Sequence, residues 1–101
     1  MMSLAIIAEA LKAPRVGNDV RISGVSTDSR QLAHGDLYVA LKGERFDGHM
    51  FLAEAINAGA AAALLGRDID TPLPYVRVPD TRLALGDLAR FWRGQFSIPF
   101  I

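Results

Sequence analysis

Apolar side chains near the start of the chain fall at Leu4, Ile7, Ala8 and Leu11, an i, i+3, i+4, i+7 stripe that predicts an amphipathic helix. Ser3 stands where a capping hydroxyl is wanted, and Pro14 stops the helix. Val20, Ile22 and Gly24 then alternate with polar neighbours, the period of one half-buried strand running toward Val25. A turn at His34-Gly35-Asp36 leads into Leu37, Tyr38, Val39, Ala40 and Leu41, an apolar run of strand length. Phe51, Leu52, Ala55 and Ile56 predict a second helix, with Gly59 as its C-terminal stop, and residues 61–65 read as a buried strand. Asp70-Thr71-Pro72-Leu73-Pro74 cannot sit inside a sheet, so it is a loop before a short strand at Tyr75-Val76-Arg77-Val78. Asp80 or Thr81 caps a last helix in which Leu85, Leu88, Ala89 and Trp92 share one face.

Helices and strands therefore alternate. That order predicts a small α/β sandwich: a mixed or partly parallel sheet of about four strands covered by three main helices. Residues 1–96 are expected to form one domain. Residues 97–101, SIPFI, look like the start of a strand leading into a further domain of a longer parent protein.

Composition narrows what such a domain can do. Eleven Lys and Arg balance eleven Asp and Glu, so no long-range field draws the protein to nucleic acid or to an acidic membrane, and any bound anion must be held locally. With no cysteine there is neither a disulfide framework nor a thiolate metal site. The opening MMSLAIIAEALKAP lacks a basic lead and carries Glu9 and Lys12, which argues for a helix rather than a signal sequence. The Ala-rich stretch around residues 55–66 falls well short of the ~20 apolar residues that span a bilayer. A soluble cytoplasmic protein without membrane insertion is expected.

Two polar segments, STDSR at 26–30 and KGERFDGH at 42–49, each follow a predicted strand, and ligands of α/β sheets bind outside the carboxyl ends of strands. Gly43 and Gly48 have the G-x-x-x-x-G spacing of a P-loop, but His49-Met50 replaces the Lys and Ser/Thr that reach phosphate and magnesium. A softer anion cradle of backbone N–H groups with Lys42 or Arg45 nearby stays open. Asp47 and His49 with Asp28 or Asp36 make a metal site on paper; the alternative is that Asp47 caps the helix and His49 bonds in its first turn. No metal is expected. Ser26, Thr27 and Ser29 beside Asp28 and Arg30 suit a planar heterocycle or a ribose as well as a tight turn closed by an Asp28–Arg30 charge interaction. Phe46 is either tucked into the core or offered as a stacking face.

Taken together, STDSR at 26–30, GDLYVALKGERFDGH at 35–49, Gly59 with the Ala-rich strand, and VPDTRLALGDLARFWR at 78–93 resemble the N-terminal domain of the Mur ligases over essentially the whole chain. D-S-R, G-D-L-[YF]-V-A and G-x-x-x-D-G-H are shared with the MurE type, whereas the fuller K-G-E-R-F-D-G-H loop and the D-T-R-x-A-x-G-x-L-A helix look like the MurF type. The resemblance implies the UDP-binding domain of a three-domain ligase of peptidoglycan synthesis. The full enzyme would use ATP and Mg to phosphorylate the terminal carboxylate of UDP-N-acetylmuramoyl-tripeptide, and the amine of D-alanyl-D-alanine would attack the acyl phosphate. On that likeness Thr27 and Ser29 contact the uridine, and Glu44, Arg45 and Phe46 wall the uracil and ribose pocket. Arg30, Lys42, Gly43, Asp47 and His49 are neighbours, some near the diphosphate. ATP, Mg and the catalytic groups would belong to the central and C-terminal domains, so the 101 residues alone are expected to be inactive and to bind neither. Alternatives are a MurE-like ligase domain and a stand-alone, non-catalytic binding module of the same fold.

Overall fold

In the computed structural model, which describes residues 2–95, seven strands and three helices follow one another along the chain. Helix α1 (Leu4–Leu11) begins as its sequence dictates: Ser3 Oγ accepts the Ile6 N–H at 3.2 Å. It ends one turn before Pro14, because Lys12 adopts a left-handed conformation at φ 53° and sends its N–H back to the Glu9 carbonyl at 3.1 Å. Leu4, Ile7 and Ala8 are its buried face.

The expected strand through Val20 and Gly24 is two strands. Strand β1 (Met2–Ser3) pairs antiparallel with β3 (Arg21–Ile22) as a small ribbon, whereas β4 (Gly24–Ser26) runs parallel to β5 (Asp36–Val39) in the main sheet. Between them the Ser23 N–H leaves for the Gly35 carbonyl at 3.0 Å, and this hand-over breaks the strand. Gly24 suits the junction, since a Cβ there would stand 2.8 Å from Asp36 Oδ1.

The main sheet has five strands in the order β2-β7-β6-β5-β4, where β2 is Arg15–Val16, β6 is Ala62–Leu65 and β7 is Tyr75–Arg77. Four of them form the expected parallel set, and β2 adds an exposed antiparallel edge on β7. Side chains alternate across it. Leu37, Val39, Ala62, Leu64 and Val76 face a layer made by α1 and by α3 (Thr81–Gln95), whose Ala84, Leu88 and Trp92 are buried. Tyr38, Ala40, Ala63, Leu65 and Tyr75 face the other way, onto Leu52 and Ala55 of α2 (Leu52–Ala58). The three helices and the mixed sheet thus make the expected α/β sandwich. Gly59 at φ 102° closes α2 in the left-handed conformation that glycine takes without strain. The expected strand at 97–101 lies outside the described residues.

Candidate functional site

Because β4 to β7 are parallel, the loops after β4, β5 and β6 all leave at the same sheet edge. After β4 the chain folds on itself through short side-chain bonds. Ser26 Oγ accepts the Asp28 N–H at 3.2 Å, and Asp28 Oδ1 accepts the Arg30 N–H at 2.9 Å. The Arg30 guanidinium closes on both Asp28 oxygens at 3.1 Å, which holds the Asp28 carboxyl below its usual range and raises Arg30. Ser29 then reaches Glu54 Oε2 of α2 at 3.4 Å.

The loop after β5 is a miniature hairpin. Lys42 bridges Asp47 across it, and the Gly43 N–H donates to the Phe46 carbonyl at 2.6 Å. The Gly48 N–H donates to the Leu41 carbonyl, also at 2.6 Å. Both glycine amides are therefore consumed inside the loop, which removes the P-loop reading, where such amides must be free to face phosphate. Asp47 caps the short 3-10 turn Gly48–Phe51 by accepting the His49 N–H at 3.0 Å. His49 is buried, with Nδ1 2.6 Å from Asp47 Oδ1 and Nε2 accepting the Gly66 N–H at 2.9 Å. Arg67 adds a 3.1 Å contact to Asp47 Oδ2. The His49 bond, and after it the cap and Arg67, bring the Asp47 carboxyl down to about 2. Among the described residues no group of three or more His, Cys, Asp or Glu side chains comes together as metal ligands would.

Between the two loops lies a cavity of about 520 Å³. Thr27, Asp28, Ser29 and Arg30 form one side, Gly43 and Phe46 another, and Tyr38 with Leu41 the sheet end. Phe51, Glu54 and Arg82 complete it. Phe46 is 49% exposed, and its ring stacks on Phe51 with centroids 5.4 Å apart and 14° between planes. Of the two expectations for Phe46, the ring is therefore not tucked into the core, and one of its faces is covered by Phe51. The Tyr38 hydroxyl donates to the Gly48 carbonyl at 2.8 Å, and burial pushes its phenol up to about 12. Tyr38 is thus a support of the loop, with no proton to exchange near neutral pH. The arrangement offers aromatic faces, hydroxyls, two carboxylates and two guanidinium groups, an inventory that can hold a planar heterocycle and a polar sugar.

Of the expected residues, the structure gathers Thr27, Ser29, Arg30, Gly43 and Phe46 around this cavity. Glu44 and Arg45 are exposed at the hairpin tip, between two lining residues but outside the lining. Lys42 and His49 line a separate cavity, and Asp47 serves the cap and its ion pairs. Sequence reasoning missed Tyr38, Phe51, Glu54 and Arg82. The spacing of Phe51 and Glu54, three apart at the start of a helix, places them on one face and was the one available signal.

A profile of the "Mur ligase family, catalytic domain" matches residues 21–93. The UDP-N-acetylmuramoyl-tripeptide–D-alanyl-D-alanine ligase of Escherichia coli K12 is 45% identical over 94 residues, covering 93% of this chain and 21% of that protein. A UDP-N-acetylmuramoyl-L-alanyl-D-glutamate–2,6-diaminopimelate ligase of Aquifex aeolicus is 40% identical over 77 residues, covering 76% of this chain and 16% of that protein. The crystal structure of MurF from Acinetobacter baumannii superposes with a TM-score of 0.78 at 36% identity, over 91% of this chain and 21% of that one. The chain thus spans about a fifth of the length of such relatives. A profile that runs from β3 to α3, a matching fold and identity well above the level at which likeness shows fold alone lead to one conclusion: the chain belongs to the Mur ligase family.

Proposed function

We propose that the chain is the substrate-binding N-terminal domain of a MurF-type ligase, which joins D-alanyl-D-alanine to UDP-N-acetylmuramoyl-tripeptide with ATP in peptidoglycan precursor synthesis. Its cavity takes the uridine end of that substrate. The observation that carries this reading is the half-exposed Phe46 ring, braced by Phe51 and set opposite the hydroxyls of Thr27 and Ser29. A base stacks on the ring, the hydroxyls and Glu54 meet polar edges of base or ribose, and Glu44 and Arg45 act from the rim. Binding so far from the reacting carboxylate supports catalysis by orientation.

ATP and Mg would serve the full-length ligase. The described residues do not fit them, because the Gly43 and Gly48 amides are both bonded within the loop, His49-Met50 stands where a P-loop has Lys and Ser/Thr, and among the described residues no group of three or more His, Cys, Asp or Glu gathers. Their place is in the remaining four-fifths of such ligases, the central and C-terminal domains that would be this domain's partners. Among the described residues no helix is long and apolar enough to cross a membrane, and charge balance gives no pull toward nucleic acid, which agrees with a cytoplasmic enzyme.

A UDP titration followed by amide NMR tests the reading. Resonances of Ser29 and of residues 43–47 should shift with a Kd of about 0.1 to 1 mM, roughly 4 to 5.5 kcal/mol. Shifts confined to other regions, or none at millimolar UDP, would overturn it. The Aquifex relative supports a second reading, a MurE-type ligase. Assaying the full-length protein with D-alanyl-D-alanine against a single diamino acid separates the two, and inactivity with both would favour a non-catalytic binding module.

A further inference from the structure

Phe46 and Phe51, the stacked rings of the aromatic cavity, are joined by the segment 47–50, none of whose residues lines that cavity. His49 is its buried anchor, with a side chain only 3% exposed. Nε2 accepts the Gly66 N–H at 2.9 Å, so Nδ1 carries the ring proton and donates it to Asp47 Oδ1 at 2.6 Å. The same carboxylate accepts the His49 N–H at 3.0 Å and the Arg67 guanidinium at 3.1 Å. Asp47, His49, Gly66 and Arg67 thus close a ring of bonds between the base of the hairpin and the turn after β6. Gly66 and Arg67 are consecutive, so both ends of the tie rest on the end of β6, a strand buried throughout. Capping alone does not require this: Asp47 Oδ1 could accept the amide of residue 49 whatever its side chain. The imidazole adds what a cap lacks, a donor on one side and an acceptor on the other, each matched to its partner.

We infer that His49 is a positioning residue for the aromatic cavity: bonded to Asp47 and to Gly66, it fixes the segment 47–50 against the sheet and so sets Phe46 and Phe51 where they receive a base. That a base is the ligand rests on the uridine reading above; the hold on the two rings does not. His49 acts through the loop, since it is not among the residues that line the cavity. Tyr38 secures the same segment to β5 through the Gly48 carbonyl at 2.8 Å, and His49 secures it to the neighbouring β6, so two adjacent strands share the hold. A side chain of similar size without an acceptor leaves the Gly66 N–H unpaired and releases the loop, whereas a glutamine amide oxygen can take the place of Nε2. The coupling is reciprocal, so a ligand that immobilises the rings also tightens the Gly66 bond.

Uridine titrations of the wild type, His49→Leu and His49→Gln, followed by amide and aromatic NMR, test this. His49→Leu should weaken uridine by about fivefold or more and move the Phe46 and Phe51 ring resonances of the free protein, since stacked rings shift each other's protons. His49→Gln should recover affinity to within about threefold of the wild type and return those resonances toward their original positions, although it too lacks the imidazole. In the wild type, bound uridine should slow amide exchange at Gly66, which lies outside the cavity, so the test stands even where a variant does not fold. Wild-type affinity and ring resonances in His49→Leu, a His49→Gln as weak as His49→Leu, or Gly66 exchange indifferent to bound uridine would overturn the positioning role. No binding of uridine by the wild type up to about 50 mM would remove the uridine reading, and the ring resonances of the two free variants would then decide the positioning role by themselves.

Discussion

His49 Nδ1 lies 2.6 Å from Asp47 Oδ1 while Gly66 N–H donates to the opposite ring nitrogen at 2.9 Å, so one buried imidazole ties the loop after β5 to the end of β6. Since Nε2 accepts, the ring proton sits on Nδ1 and Asp47 is the acceptor. This bond is the main reason the Asp47 carboxyl sits at about 2 instead of 3.8. A carboxyl depressed by folding contributes stability that is complete above the unfolded value and is lost as pH falls through the folded one. The expected outcome is a fall in unfolding free energy between about pH 4 and pH 2 that is reduced in Asp47→Asn, read from urea midpoints across that range. An unaltered acid limb in the variant would show that the pair contributes nothing.

Gly48 is fixed by space rather than by φ. A Cβ at that position would stand 2.8 Å from Leu41 N, 2.9 Å from Leu41 O and 3.0 Å from Ala40 Cα, all backbone atoms at the end of β5. None can yield without breaking the 2.6 Å bond from the Gly48 N–H to the Leu41 carbonyl. Gly48→Ala should cost about 2 to 3 kcal/mol, at the upper end of ordinary overpacking. Gly43→Ala, whose Cβ meets nothing nearer than 4.0 Å, should cost far less. Equal denaturation midpoints for the two variants would contradict this assignment.

Tyr38 supports the same loop from beneath. It is 1% exposed and its hydroxyl bonds the Gly48 carbonyl at 2.8 Å. Tyr38→Phe leaves that carbonyl unpaired at about 1 to 2 kcal/mol. Burial raises the phenol to about 12, so the unfolded chain loses this proton first, and stability present below pH 10 is lost as pH rises toward 12. The variant should lose most of that alkaline limb. Tyr75, also raised by burial and by its bond to Asp68, leaves a remainder.

These residues show what a sequence can and cannot declare. Ser3, the Leu4-Ile7-Ala8 stripe and Gly59 speak through local periodicity and capping, and the helices stand where that predicts. The break at Ser23 depends on pairing with Ser3 on one side and Asp36 on the other, partners distant in the chain. Arg15–Val16 is an exposed two-residue edge with no pattern of its own. In the site, composition flagged the loop but not its division of labour. Whether Phe46 or Glu44 meets the cavity is decided by the bond from Gly43 N–H to the Phe46 carbonyl, which sends Glu44 and Arg45 to the tip. Tyr38 and Arg82 were masked because each also fits a simpler duty, strand core and helix start.

Phe46 then separates binding from folding. Its ring is half exposed and leans on Phe51, which is packed against Tyr38, Leu52 and their neighbours, so the platform survives loss of its outer ring. Stacking a base on an aromatic side chain is worth about 1 to 3 kcal/mol, and Phe46→Ala should weaken UDP by roughly fivefold to a hundredfold with little change in thermal stability. Arg45→Ala, at the hairpin tip, should weaken it less. In the full-length ligase the Phe46 variant should raise KM for the UDP-linked substrate and also lower kcat at saturating substrate, because the remote contact helps orient the reacting end. An unchanged kcat with a raised KM would show that the contact is equal in ground and transition states and does not orient. Unchanged UDP affinity in Phe46→Ala would remove the aromatic platform from the site.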